Sequence, residues 1–297
     1  MEKKWIDCNV CGMDQFKAIA KQGGWTIGQC RNCGLIYVNP TAIFRPDHEF
    51  SKVSLGFQYT RYQSVNLSNK VIEFEKKQLL ENRASLEKFG CSAPSKFRFL
   101  DVGCGSGASV RAAAELGWEA VGIDLDPELI EKGRRELEMD LRCTTLLEAH
   151  MEKEQFDFIR LRDVIEHLPD PYETLLEIKR LLVPGGGVLV STPNEGSMPT
   201  RLRQALGYRR RVVATVTPPH HLHGFNRHTL QKIIQRAELF IDEIKSTTPV
   251  DPSYVTSRNM LSSQNSCSVF LWNLGRSLDM GSMLIGWARK ISGSPLC

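Results

Sequence analysis

Four cysteines form two close pairs near the start of the chain, Cys8-x2-Cys11 and Cys30-x2-Cys33. A glycine follows each pair at once, Gly12 and Gly34. Glycine supplies the positive φ that a tight knuckle requires and other residues resist. Four thiolates spaced this way can converge tetrahedrally on Zn²⁺ at about 2.3 Å each, and a site closed by four protein ligands is structural rather than catalytic. So short a segment buries too little apolar surface to hold itself together, whereas metal binding of roughly 10–16 kcal/mol would do so. The competing reading of a Cys-x2-Cys pair is redox chemistry.

A second concentration of chemistry lies at Leu100-Asp101-Val102-Gly103-Cys104-Gly105-Ser106-Gly107. Glycines let a backbone turn sharply and let a ligand approach where a side chain would collide. The start of the following helix offers unpaired N–H groups to a carboxylate. Taken alone the run is ambiguous, because Gly103 to Ala108 also fits the dinucleotide-binding G-x-G-x-x-A pattern. Asp101 argues against that reading, since a charge before the first glycine repels a pyrophosphate and suits an ammonium. Asp124, in Val121-Gly122-Ile123-Asp124-Leu125-Asp126, is placed to accept from two vicinal hydroxyls. Such charge-assisted bonds are worth roughly 1.5–3 kcal/mol each.

Positioning these groups requires alternating strands and helices. Apolar runs predict strands at 97–102, 119–124, 141–146, 156–161, 187–191 and 241–246, with helices near 107–116, 127–138, 172–182 and 227–237. That alternation predicts an α/β fold, a Rossmann-like doubly wound and mostly parallel sheet. The chain divides into a zinc ribbon at 1–40, a helical linker or lid at 41–95, and the sheet domain at 96–246, which carries an insertion at 195–226. Within the linker, Val71, Ile72, Phe74, Leu79, Leu80 and Leu86 approximate one helical face, which Gly90 and Pro94 end. Residues 247–297 form a tail whose apolar residues suggest a lid or dimer contact in preference to an interfacial membrane helix, because Gly275, Gly281 and Gly286 weaken helicity.

Residues 97–194 resemble a class I S-adenosylmethionine-dependent methyltransferase of the small-molecule type. The matching stretches are LDVGCGSG (100–107), VGIDLDP (121–127), FDFIRLRDVIEHLPDP (156–171) and LLVPGGGVLVSTPN (181–194), about a third of the chain in the right order. The resemblance implies S-adenosyl-L-methionine as cofactor. Asp101 and Gly103, Cys104, Gly105 and Gly107 would border its methionine part, and Asp124 and Leu125 its ribose. Residues around Leu147 would frame adenine, with Arg162 and Asp163 at the reaction site. Arg162 stands where the family more often has a small or polar residue, and the family's seventh strand is not legible. The ribbon, Gly34 to Pro40 and the Tyr59/Tyr62 segment also resemble a bacterial subgroup with an N-terminal zinc module, often acting in natural-product or surface-glycan biosynthesis.

If the acceptor is a hydroxyl, a base near neutral pKa helps, which favours histidine. The candidates are His167, and His220, His221 and His223 in Pro218-Pro219-His220-His221-Leu222-His223, with His220 or His221 favoured. For each, loop-fixing hydrogen bonds are the alternative role. The similarity to ubiquinone-biosynthesis O-methyltransferases implies another role for His167. Their matching segment contributes carboxylates and a histidine to Mg²⁺, and here that set would be Asp163, Glu166 and His167. Arg209-Arg210-Arg211, with Arg201 and Arg203, reads as a solvated basic face or as a contact for a phosphorylated acceptor.

The whole chain has 297 residues, 41% hydrophobic and 24% charged, with a formal net charge of +4. This modest charge argues against a nucleic-acid binder. So does Arg162-Asp163-Val164-Ile165-Glu166, which lacks the Asn/Asp-Pro-Pro-aromatic arrangement of exocyclic base N-methylation. A zinc-ribbon RNA methyltransferase is therefore the second reading, and a non-catalytic cofactor-binding protein the third. Nine cysteines, no apolar run after the basic start and no stretch of about 18 apolar residues predict a cytoplasmic protein without transmembrane spans or a disulfide framework. A homodimer is compatible with all of this.

Overall fold

The computed structural model describes residues 2–43, 67–91, 94–205, 215–247 and 279–291. The basic triplet 209–211, Tyr59 and Tyr62, and the tail from 248 to 278 lie outside them. A seven-stranded sheet organises the rest. Strands β6 (Arg98–Val102), β7 (Glu119–Asp124), β8 (Asp140–Cys143), β9 (Phe156–Arg162) and β10 (Leu182–Pro193) are parallel. Strand β12 (Phe240–Thr247) and β13 (Met283–Arg289) complete the order β12-β13-β10-β9-β6-β7-β8. The doubly wound, mostly parallel sheet expected from the sequence is present.

β13 places one stretch of the tail in the sheet, where a lid or dimer contact was expected, while 248–278 lie outside the described residues. Residues 283–289 run antiparallel between β10 and β12, inside the sheet. Trp287 is buried there and stacks on Phe158 with ring centroids 6.1 Å apart. Gly281, one of the glycines that weaken a helix, serves this placement. A Cβ on Gly281 would lie 2.4 Å from the Thr247 carbonyl oxygen, so only glycine lets the chain pass the end of β12 so closely. β8 ends earlier than the expected 146, because Thr144 turns its N–H to the Asp124 carbonyl and Leu146 enters the core instead.

Helix α1 (Asn69–Lys88) buries Ile72, Glu75, Leu79, Asn82 and Leu86, a stripe at helical spacing that includes a carboxylate. Leu80, expected on that face, is exposed. Helix α2 (Ala108–Glu115) starts from Gly107. Helices α3 (Pro127–Leu137) and α4 (Pro171–Leu181) each begin with an Asp-Pro pair whose aspartate caps backbone N–H groups of the first turn. Helix α5 (Met198–Ala205) lies in the insertion, and α6 (Arg227–Arg236) begins with a capping box between Asn226 and Thr229.

At the N-terminus β1 (Glu2–Lys4) pairs with β5 (Thr41–Ile43). β2 (Phe16–Gln22), β3 (Trp25–Cys30) and β4 (Ile36–Val38) form a small antiparallel sheet, which β11 (His223–Gly224) from the insertion extends by a strand. Val10, Leu35 and Tyr37 share one core with Leu161, Ile165, Phe225 and Leu230. The premise that this segment lacks apolar support is therefore revised: it borrows a core from the large sheet. Among the described residues, no helix is long and apolar enough to cross a membrane.

Candidate active site

The glycine bend leaves the C-terminal end of β6, the edge at which open α/β sheets bind ligands. Gly103, Gly105 and Gly107 have φ of +77°, +56° and +85°. A Cβ on Gly103 would meet Val164 Cγ2 at 2.3 Å, so the loop after β9 packs directly against the bend. The Gly103 and Cys104 N–H groups both donate to the Ile123 carbonyl. Burial raises the Cys104 thiol well above its ordinary range, and it stays protonated. Asp124 Oδ2 accepts the Gly105 N–H at 2.8 Å and Oδ1 the Asp126 N–H at 2.9 Å, locking the carboxylate to the bend. A carboxylate has about four lone-pair sites, so acceptor capacity remains for two hydroxyls. Beyond Asp124, Leu125 is half-buried and its carbonyl lies 3.8 Å from the Cys143 sulfur. Leu147 is exposed, while Leu146 is in the core.

Asp101 departs from expectation. It is buried, and both its oxygens take hydrogen bonds at 2.9 Å from the Arg160 guanidinium, with the Ser109 hydroxyl donating as well. It serves as the internal counterion of Arg160 instead of facing an ammonium, because Arg160, 2% exposed in mid-strand, has to be neutralised. Arg160 also donates to Glu75 of α1 at 3.1 Å, and Glu75 accepts from Arg162 at 2.5 Å. The unusual Arg162 thus has a structural partner, and its guanidinium is held at the end of β9. Sequence reasoning missed Arg160 and Glu75. A charge inside an apolar strand, and a carboxylate on the buried stripe of a helix, were the available signals.

This network predicts an acid-labile clamp. Burial alone would raise the Glu75 pKa, but Arg162 and Arg160 bring it down to about 2. A carboxyl depressed below its usual value of 4.5 stabilises the fold at neutral pH, and that contribution is lost as pH falls towards 2. Glu75→Gln leaves the half-exposed Arg162 without a carboxylate and Arg160 with Asp101 alone, which should cost about 1–3 kcal/mol at pH 7. Urea unfolding at pH 7, 4.5 and 2.5 should show the variant losing less stability on acidification than the wild type. Parallel losses would remove the network as the cause.

The histidines come together between the loop after β9 and the insertion. His167 Nδ1 lies 3.0 Å from the His220 carbonyl, and His221 Nδ1 lies 2.7 Å from the Thr215 carbonyl. The two rings meet edge to face with centroids 4.6 Å apart. Burial, with the neighbouring His221, lowers His167 to about 3, and burial also lowers His220 and His221, so all three rings are neutral at pH 7. Glu166 is buried beside them, and its pKa is raised by burial and by the Asp163 charge. Donor atoms of Glu166, His167 and His221 lie within 4.8 Å of one another. The Mg²⁺ set expected from the resemblance is not assembled this way. Asp163, at a left-handed φ of +57°, turns its Oδ1 to the Ser191 hydroxyl at 3.0 Å. One carboxylate and two imidazoles are also a poor match for an ion that prefers oxygen ligands.

The four knuckle thiols converge as expected. Cys8 and Cys33 sulfurs are 3.4 Å apart, Cys11 and Cys30 3.6 Å, and all four lie within 4.8 Å of one another. Tetrahedral Zn–S bonds of about 2.3 Å would set sulfurs roughly 3.7 Å apart, so the donors fit that ion. The knuckle N–H groups of Gly12 and Gly34 donate to the Cys8 and Cys30 carbonyls, with φ of +72° and +84°. From this platform β4 pairs with β11, and Asn9 Nδ2 lies 3.3 Å from His223 Nε2. The ribbon therefore holds the far end of the histidine loop.

A family described as a methyltransferase domain matches residues 72–244. The chain is 36% identical over 103 residues to a ubiquinone biosynthesis O-methyltransferase of Xanthomonas oryzae, covering 33% of this chain and 43% of that protein. It is 38% identical over 111 residues to one of Cereibacter sphaeroides, covering 35% and 45%. It thus spans less than half the length of these curated relatives. Among solved structures, the Haemonchus contortus phosphoethanolamine N-methyltransferase 2 bound to S-adenosyl-L-methionine superposes with a TM-score of 0.54 at 17% identity, over 92% of this chain and 71% of that one. A methyltransferase from Archaeoglobus fulgidus gives 0.50 at 17% identity, over 82% and 100%. At these identities the likeness concerns the fold.

Proposed function

The chain belongs to this methyltransferase-domain family, and we propose that it transfers the methyl group of S-adenosyl-L-methionine to a small-molecule acceptor, a hydroxyl in preference to carbon or nitrogen. The observation that carries the proposal is the bend from Gly103 to Gly107 tied to Asp124 by the Gly105 N–H. The ribose of the cofactor lies against Asp124 and Leu125, its methionine part against Gly103, Cys104, Gly105 and Gly107, and its adenine near Leu147. The carboxylate of the methionine part uses N–H groups at the start of α2. Its ammonium meets backbone acceptors of the bend, since Asp101 is committed to Arg160.

Methyl transfer is an in-line displacement at a carbon that the sulfonium already activates, so the protein supplies alignment and proton management. Holding two reactants in line can contribute about 7–11 kcal/mol. Proton management falls to the imidazole of His221, with His220 beside it, while His167, which burial takes far below neutral, packs edge to face against the His221 ring and orients it. That preference for a hydroxyl acceptor agrees with the relatives named O-methyltransferases. Arg162, held by Glu75, keeps a positive charge at the end of β9 for an anionic acceptor. The four cysteines hold a structural zinc ion that keeps the ribbon, and through β4 the histidine loop, in place.

Titration calorimetry on the full chain tests the cofactor. S-adenosylmethionine and S-adenosylhomocysteine are expected to bind in the micromolar range, and nicotinamide or flavin dinucleotides not to bind. The reverse ranking would end the proposal.

A further inference from the structure

Asn9 sits inside the first cysteine knuckle, between Cys8 and Cys11, yet the partners of its side chain lie outside the ribbon. It is buried, and its amide Nδ2 stands 3.4 Å from the Pro169 carbonyl and 3.3 Å from His223 Nε2. Pro169 belongs to the loop after β9, which carries His167, and His223 to the insertion, which carries His220 and His221. One side chain therefore bonds both segments from which the candidate histidines come. Its backbone is anchored independently. The Asn9 carbonyl accepts from Arg236 Nη1 of α6 at 2.7 Å, and the carbon of that guanidinium lies 3.8 Å from the centroid of the Tyr172 ring on α4. A Cβ on Gly12 would stand 3.0 Å from Arg236 Nη2, so the glycine that turns the knuckle also lets it dock this closely.

The chemistry of these contacts settles which group donates. A carbonyl only accepts, so the part of the Asn9 amide that faces Pro169 is its NH2, whose second hydrogen is available to His223. Burial takes His223 down to about 3, so the ring is neutral at pH 7 and has one donor and one acceptor nitrogen. Nε2 accepts from Asn9, and the proton sits on Nδ1. The ring is held flat, stacked on Tyr37 of β4 with centroids 6.3 Å apart and on Phe225 at 5.9 Å. We propose that Asn9 is a positioning residue for methyl transfer: from within the knuckle it fixes the loop after β9 against the histidine insertion, and thereby the placement of His221. The two segments also meet directly, where the Glu166 carbonyl accepts the N–H groups of Leu222 at 2.8 Å and His223 at 3.1 Å. That joins the backbones at one point. Asn9 adds a second point three residues further along the loop, and two points fix an angle that one leaves open. The role in transfer rests on the function proposed above, whereas the coupling of Asn9 to the two segments does not.

Nitrogen NMR of the zinc-loaded full chain, labelled at histidine, is the test, with Asn9→Ala and Asn9→Asp as variants. Alanine removes both bonds, and aspartate keeps the shape of the side chain while removing the NH2. In the wild type His223 is expected to carry its proton on Nδ1. In both variants the His221 ring resonances should shift although residue 9 does not touch that ring. Turnover with the best acceptor of a screened panel should fall about 10–100-fold, since misplacement by about 1 Å is enough for such a loss. S-adenosylhomocysteine affinity should stay within about threefold, and zinc content should equal that of the wild type, which reports an intact ribbon. A wild-type His223 with its proton on Nε2 overturns the proposal without reference to any variant. Unchanged His221 resonances in zinc-loaded variants overturn it too, as does a loss of cofactor affinity in parallel with turnover. Absence of cofactor uptake by the wild type would instead end the methyl-transfer reading and leave the resonance result standing.

Discussion

Asp124→Ala is expected to weaken S-adenosylmethionine binding by about 10²–10⁴-fold, from the loss of two charge-assisted bonds of roughly 1.5–3 kcal/mol each. Two effects combine in that number. The ribose hydroxyls lose their acceptor, and the bend loses its tether, because the same carboxylate accepts from Gly105 and Asp126. Asp124→Asn separates them. An amide oxygen can keep one tether but gives up the charge, so its affinity should fall between wild type and alanine. Calorimetry on both variants, with circular dichroism as the check on folding, reads the outcome. Unchanged affinity in the alanine variant would remove Asp124 from the cofactor site.

His221→Ala should act on the other kinetic quantity. Removing a group that manages the acceptor's proton typically costs about 10²–10⁴-fold in turnover. Cofactor affinity should stay within about threefold of wild type, because His221 belongs to the insertion and the proposed cofactor contacts to β6, β7 and their loops. S-adenosylhomocysteine release, measured with the hydroxylated acceptor that turns over best in a screened panel, gives the comparison. Full turnover in the variant would show that the cluster of His167 and His221 does not face the acceptor. The two variants together distinguish binding from chemistry: one should raise the dissociation constant of the cofactor and the other should lower kcat.

Much of the geometry of the glycine bend was legible in the sequence. The glycine bend requires positive φ at Gly103, Gly105 and Gly107, and glycine is the residue that meets it at no steric cost. Asp124 lies two residues from Asp126 and opposite the bend in the parallel ladder of β6 and β7, so the strand register alone brings it to Gly105. The knuckles of the ribbon are equally local. β13 was illegible for the opposite reason. Its seven residues bear no marker of their own, and their partners lie in β10 and β12. The meaning of Asp101 was misread because its ammonium-like partner is an arginine of the same chain.

What the sequence determined by itself is whatever backbone conformation decides within a few residues: two cysteine knuckles, a glycine bend, aspartate-capped helices and the strand–helix alternation that makes a doubly wound sheet. Tertiary structure decided which charges meet. Arg160 reaches Asp101 across 59 positions and Glu75 across 85. Burial makes such encounters decisive, since a charge in the interior must find a partner wherever the fold provides one. A one-dimensional pattern records that the charges exist, and folding selects their partners.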